Sequence, residues 1–406
     1  MTFFSKTPRK KVFAVIDITS SSVGGALVEI NEGCPVAVSA APRSPVNFLF
    51  DVSLEASLRC TAESLRLTAK KLKSLRPGKI DEVLCVFSSP WFSSKTKIIT
   101  VTREKPFEVR NDFFSKIIEE EEKNFTPLET GMSKRGEKNS LFIEREVIKA
   151  ELNGYYVKNP IGKNARSVKS HIYLSVGVEK AMEMARREIE KVFIHTPLRF
   201  ATSSLVAFKV LSDIIKNKEG YLIIDIGGET TEINIIRNNV LEMSASFSKG
   251  KNLLFRKAAT TLNTFLGEAS SIVRAYSAGH RTLESSDKIA EAVKESIEEW
   301  RDSLKNSLSV MAKSALLPQN VFIIGDDPVC RFFSSCLEKS DFSEFTVLNK
   351  PFVAQKIKSE WLSRYFKTGD YQSKDMDIIL MIEAVYADKF LEINPPLAET
   401  NTCQEK

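Results

Sequence analysis

The chain has 406 residues, 43% of them hydrophobic and 27% charged, with a net charge of +6, values that describe a globular protein of roughly two to four domains or subdomains and exclude a disordered or fibrous chain. Six scattered cysteines without a Cys-x-x-Cys pair and three isolated histidines argue against a metal site and for reduced thiols in a cytoplasm. The opening residues carry charge instead of a signal-peptide core, no stretch reaches the ~20 apolar residues that span a bilayer, and no aromatic-basic interleaving marks a nucleic-acid surface, so a cytoplasmic protein without a nucleic-acid partner is expected.

The basic cluster Lys6, Arg9, Lys10 and Lys11 reads as a solvated tail. Val12–Ile16 is a continuous apolar run, expected as a buried strand that ends at Asp17. A hydroxyl-rich tip, Ser20 to Gly25, turns it back into Ala26–Ile30. Leu54–Leu75 carries helical apolar spacing and stops at Arg76-Pro77-Gly78. Glu82–Phe87 and Lys97–Thr102 read as strands, Asn111–Asn124 as an acidic helix, and Thr126–Ser140 as a polar loop. Val147–Val157 and Ser167–Val176 alternate as antiparallel strands do, and Glu179–Val192 is expected as a helix.

Tyr221–Asp225 repeats the device of a strand ending in Asp. Gly227-Gly228-Glu229-Thr230-Thr231 makes the turn, Glu232–Ile236 returns, and Asn238-Asn239 turns into Val240–Phe247. Helices are expected at Asn252–Leu266 and Ala290–Ala315, a strand at Val321–Ile324 stopped by Gly325, and a last helix at Asp375–Phe390 before a polar tail. Phe352–Lys367 has Ile357, Trp361, Leu362, Tyr365 and Phe366 among lysines and arginines; it could lie on a membrane, but reads better as a core-packed helix. The twofold occurrence of strand, Asp, small-residue turn and strand implies a duplicated α/β architecture with a cleft between halves.

Small residues let backbone N–H groups approach a phosphate, and hydroxyls add donors. Thr19, Ser20, Ser21 and Ser22 supply this in the first turn, and Gly227, Gly228, Glu229, Thr230 and Thr231 in the second. Asp17 and Asp225 are placed to hold Mg²⁺ through its waters. Either hairpin alone is common turn chemistry; the ordered pair, followed by the strand ending in Gly325, is the specific signal.

On these residues the chain resembles the actin, Hsp70 and sugar-kinase superfamily, and within it bacterial FtsA and PilM. Tyr156–Gly162 with the strand Val168–Tyr173 is similar to the Lys-Asn-Pro-hydrophobic-Gly turn and strand of FtsA's extra subdomain, and Phe200–Leu205 and Tyr221–His280 are similar to FtsA segments around the second hairpin. The opening Ile16–Val23 looks more like PilM. The resemblance implies a duplicated actin-like (ribonuclease H-like) α/β fold of two lobes around a nucleotide cleft. The first lobe would take residues 1–82 and 177–220, an inserted SHS2-type subdomain 83–176, and the second lobe 221–392 with a subdomain near 248–318, leaving 393–406 as a tail. It implies ATP with Mg, Gly325 at the adenosine-side turn, and protein partners of a division or pilus assembly, with self-assembly into filaments and peripheral membrane association as further implications.

Thr19, Glu229 and Asp326 depart from the family's glycines, and Glu229 adds negative charge beside the phosphates. Glu268 and Arg274 fall where FtsA has ribose-contacting charges but read as surface charges. In the segment that positions the attacking water in relatives, only Thr202, Ser203 and Ser204 are available, and none is a general base alone; slow or absent ATP turnover is expected. An FtsA-like ATP-binding division scaffold is therefore the first expectation, a PilM-like pilus component the second, and a degenerate member or a sugar or acid kinase the remaining ones.

Overall fold

The structure is a computed structural model that describes residues 11–391 except 32, 48–49, 51–52, 77, 126–140, 218, 281–285, 326 and 368–375. The basic cluster before Lys11, the polar loop 126–140, Asp326 and the tail from 392 lie outside the described residues.

The first half contains β1 (Lys11–Ile18), β2 (Ser22–Ile30), β3 (Ala37–Ala40), β4 (Arg43–Pro45), α1 (Leu54–Leu75), β5 (Glu82–Phe87), β6 (Phe92–Glu108), α2 (Phe113–Lys123), β7 (Leu141–Leu152), β8 (Tyr155–Tyr156), β9 (Asn164–Gly177), α3 (Glu179–Glu190), β10 (Leu198–Thr202) and α4 (Ser203–Ile214). The second contains β11 (Tyr221–Ile226), β12 (Thr231–Arg237), β13 (Val240–Phe247), α5 (Lys251–Leu262), α6 (Leu266–Ser277), α7 (Ser286–Ala312), β14 (Asn320–Ile324), α8 (Cys330–Lys339), β15 (Val353–Lys356) and α9 (Ile378–Phe390).

One sheet runs β10-β5-β1-β2-β3, with β4 also beside β2; the other runs β13-β12-β11-β14-β15. The two orders superimpose strand for strand. In each, a hairpin (β1–β2, β11–β12) is flanked by a parallel strand (β5, β14) and then a second parallel strand (β10, β15). Two lobes built on one duplicated plan follow. β1 and β11 are buried along nearly their whole length because both faces are covered, which is why they read as continuous apolar runs. Helices α4 and α9 pack on each other between the lobes, and α9 is almost entirely apolar because it is enclosed on all sides.

A third sheet, β6-β9-β7-β8, sits between β5 and α3 in the chain. Its boundary differs from the expected one: residues 83–87 pair with β1 inside the first sheet, and the separate sheet begins at Phe92. This sheet is tied to both lobes. Thr96 Oγ1 donates to the Leu241 carbonyl at 2.6 Å, and Lys209 Nζ lies 2.5 Å from Glu146 Oε1.

Phe352–Lys367 is not a helix. Val353–Lys356 pairs parallel with β14, and short 3₁₀ turns follow at Ser359–Trp361 and Ser363–Tyr365. Ile357, Leu362 and Phe366 are still buried, so the apolar spacing reflects packing onto the core and not a helical stripe. The helix expected from Asn252 to Leu266 ends earlier, at Leu262, because Asn263 takes a left-handed conformation with φ 51°; a separate helix that was not expected, α6, follows from Leu266 to Ser277.

Candidate functional site

The ends of β1 and β11 face each other across the cleft, and the two turns touch. A Cβ on Gly228 would stand 2.7 Å from Ser21 Cβ, so only glycine lets the turns approach this closely. The Glu229 N–H donates to Ser20 Oγ at 2.9 Å, and Thr230 Oγ1 donates to the Ser89 carbonyl at 2.9 Å. The second turn is closed by the Gly227 N–H on the Thr230 carbonyl at 2.9 Å, and it sits on the start of α5. There the Lys251 and Asn252 N–H groups donate to the Gly227 and Gly228 carbonyls at 3.0 and 2.9 Å. These are orphan helix-start donors put to use as a seat for the turn. Gly250 makes this possible, because a Cβ there would lie 2.5 Å from both carbonyl oxygens.

Beside the turns lies a cavity of about 600 Å³, within the ~300–1,000 Å³ range of small-molecule sites. Of the residues singled out from sequence, Thr19, Ser21, Ser22, Asp225, Gly227, Thr230 and Gly325 line it. Asp17, Ser20, Gly228, Glu229 and Thr231 do not; they hold the turns in place from behind. Thr231 Oγ1 donates to the Lys249 carbonyl at 2.7 Å and accepts from the buried indole of Trp300 at 2.8 Å.

The departures from the family pattern have structural roles. Thr19 Oγ1 accepts from the Ser21 and Ser22 N–H groups at 3.2 and 3.0 Å and donates to the Ser22 carbonyl at 2.9 Å. It thus closes the first turn with its own side chain and engages two amides that a bare glycine turn would leave for a phosphate. Glu229 turns away from the cavity, where Arg256 pairs with it and Asn252 Nδ2 donates to it at 2.7 Å. The negative charge expected beside the phosphates is thereby neutralised.

Asp17 is fully buried, and Arg43 Nη1 lies 2.8 Å from its Oδ2. The contact is ionic: neither Asp17 oxygen accepts a well-aligned hydrogen bond among the described residues. Burial pushes Asp17 up to about 6, against the pull of Arg43. Asp225 is pushed up to about 7 by burial and by the neighbouring Glu232 and Asp17. Glu232 is raised by burial, while Ser204 and Asn234 donate to its Oε1 at 2.5 and 2.8 Å. Glu383 on α9 is buried with no hydrogen-bond partner for either oxygen among the described residues, and burial holds it well above the usual carboxylate range.

For Mg²⁺ the two expected aspartates fit unequally. Asp225 opens on the cavity and its raised pKa marks it as short of positive charge, so it suits a hydrated cation. Asp17 is withdrawn from the cavity lining and already carries the Arg43 guanidinium, so it does not.

The sequence reading missed several cavity residues. Arg43, Lys251, Glu232, Asp377, Phe255, Leu266 and Gly267 also line the cavity. Arg274 is exposed, as expected, and also borders the cavity: its guanidinium carbon sits 4.7 Å over the Phe255 ring, and it pairs with Asp327 at 3.2 Å. Glu268 instead accepts from Thr264. Gly325 has φ +151°, and a Cβ there would meet Cys330 Sγ at 2.8 Å, so close packing of α8 on the β14 end requires glycine.

A solved PilM–PilN type IV pilus biogenesis complex matches with TM-score 0.62 at 14% identity, over 94% of this chain and 97% of that one. The chain has an actin-like fold. An actin-like ATPase-fold protein of unknown function from Bacteroides thetaiotaomicron matches with TM-score 0.43 at 9% identity over 95% and 99% of the two chains. EutJ, an ethanolamine utilization protein from Carboxydothermus hydrogenoformans, gives 0.44 at 14% identity over 86% of each. No family model and no curated protein matches the sequence. In this actin-like frame, the cavity lies between the duplicated hairpins of the two lobes.

Proposed function

We propose that this actin-fold chain is an adenine-nucleotide-binding scaffold that recruits or assembles protein partners, and that it acts by binding and not by rapid turnover. The carrying observation is the cavity between the duplicated hairpins. Its hairpin end offers the Ser21, Ser22 and Thr230 hydroxyls with Arg43 and Lys251, a set suited to phosphates. Its other end offers Phe255, Leu266 and Arg274, suited to a base and sugar. Asp225 is the carboxylate turned to a hydrated Mg²⁺ accompanying the nucleotide.

Slow turnover follows from Glu232. It is an acid in the cavity able to orient a water, yet its Oε1 already accepts hydrogen bonds from Ser204 and Asn234. The whole-length likeness to PilM in its complex with PilN supports a role in type IV pilus biogenesis through a protein partner. An FtsA-like division role rests on the sequence resemblance of Tyr156–Gly162 with Val168–Tyr173, of Phe200–Leu205 and of Tyr221–His280. In either reading the third sheet, from Phe92 to Gly177, is the SHS2-type subdomain that meets partners. Among the described residues no helix is long and apolar enough to cross a membrane.

Thermal denaturation with millimolar Mg·ATP tests the nucleotide reading. A bound nucleotide at 100 times its Kd stabilises by ~2.7 kcal/mol, which moves the melting midpoint upward. No shift with ATP, ADP or GTP would refute it.

A further inference from the structure

The sequence pattern makes Arg43 a permanent part of the site. β2 lies between β1 and β4, and its register sets Gly24 opposite Asp17 on one side and opposite Arg43 on the other. With no side chain at Gly24, the Arg43 guanidinium crosses over that position. A Cβ there would stand 2.6 Å from Arg43 Nη2. The guanidinium is then fixed from three directions. Nη1 lies 2.8 Å from Asp17 Oδ2 and donates to Ser22 Oγ at 2.8 Å. Nε and Nη2 donate to the two oxygens of Asp377, the N-cap of α9, at 2.8 and 3.1 Å. This is a bidentate fork with little freedom to leave.

Arg43 and Ser22 both line the cavity, whereas Asp17 does not. The first turn has also engaged its Ser21 and Ser22 amides on Thr19 Oγ1. What it presents to a phosphate is therefore hydroxyls and a guanidinium, with a carboxylate behind them.

We propose that Arg43 is the resident cation of the first hairpin, standing at Asp17 where a hydrated divalent ion would otherwise stand, so that nucleotide binding does not require a divalent cation. This rests on the nucleotide reading above and specifies how the phosphate charge is met. On the first-lobe side the charge is met by an arginine built into the sheet. Lys251, at the start of α5 and also lining the cavity, faces it from the second lobe. A divalent ion on Asp225 would then be an addition to a site already competent.

Calorimetric titration of ATP into the full chain, once in EDTA and once in excess Mg²⁺, tests this. The expected result is binding in both, with affinities within about threefold. Arg43→Ala should then bind at least about tenfold more weakly in EDTA and recover part of that loss in Mg²⁺, because a metal can now reach Asp17. Arg43→Lys, which keeps the charge and loses the fork, should also weaken binding in EDTA. Wild-type binding that needs Mg²⁺, or an Arg43→Ala variant (Arg43→Gln if the alanine does not fold) that binds in EDTA as tightly as wild type, overturns the proposal and leaves the nucleotide reading standing. No binding in either buffer overturns the nucleotide reading and this inference with it.

Discussion

Glu144 offers a titration whose sign and size follow from its surroundings. It projects from β7 to the start of α4 and ties the third sheet to the first lobe. The Thr202 N–H donates to Oε1 at 2.7 Å, Thr202 Oγ1 donates to Oε2 at 2.9 Å, and Ser175 also donates to Oε2. Burial outweighs these bonds and pushes Glu144 from 4.5 up to about 7. Unfolded, the carboxyl loses its proton near 4.5; folded, it keeps it to about 7. Its contribution to stability is therefore full at and below pH 4.5, falls as pH rises to 7, and is flat above. At ~1.4 kcal/mol per unit the shift corresponds to at most ~3 kcal/mol, and partial solvent access to the residue reduces this to ~1–2 kcal/mol. Asp17 and Asp225 are raised as well and slope the same way, so the informative quantity is a difference. Glu144→Gln keeps an acceptor for the Thr202 N–H and cannot titrate. Thermal midpoints of both proteins from about pH 4.5 to about 8 should diverge, the Gln variant gaining roughly 1–2 °C relative to wild type across the window. Parallel curves would refute the assignment.

Three substitutions probe the scaffold behind the cavity. Gly250→Ala places a Cβ against two backbone carbonyls that cannot yield; it should displace the second turn and weaken ATP binding about tenfold or more, measured by calorimetry, with a lowered melting midpoint. Trp300→Phe removes the 2.8 Å hydrogen bond to Thr231 Oγ1 in a fully buried setting and should cost ~1–3 kcal/mol, read from thermal unfolding. Gly24→Ala should push the Arg43 guanidinium off Asp17, and its weaker ATP binding in EDTA should resemble that of Arg43→Ala.

The lobes and their hairpins were legible because β1 and β11 are covered on both faces. That burial writes a continuous apolar run, and the Asp and small residues that follow mark the turn. Thr19 and Glu229 were legible as departures, but their effect was not. It depends on Thr19 folding back on its own turn, and on Arg256 and Asn252 arriving from α5. Arg43 and Asp377 carried no local signal, because one reaches the site by strand pairing across Gly24 and the other as the cap of a helix near the chain's end. Phe352–Lys367 misled because residues three and four apart can be buried equally by 3₁₀ turns after a parallel edge strand. Helix α8 went unread, being short with only Cys330, Phe333 and Leu337 buried.

If both duplicated turns grip one nucleotide, amide hydrogen exchange with and without saturating ATP will show it. Added protection is expected in peptides covering residues 19–22 and 227–231 together, with a parallel change near Phe255 and Leu266. Protection confined to one turn, or none at either, would contradict it.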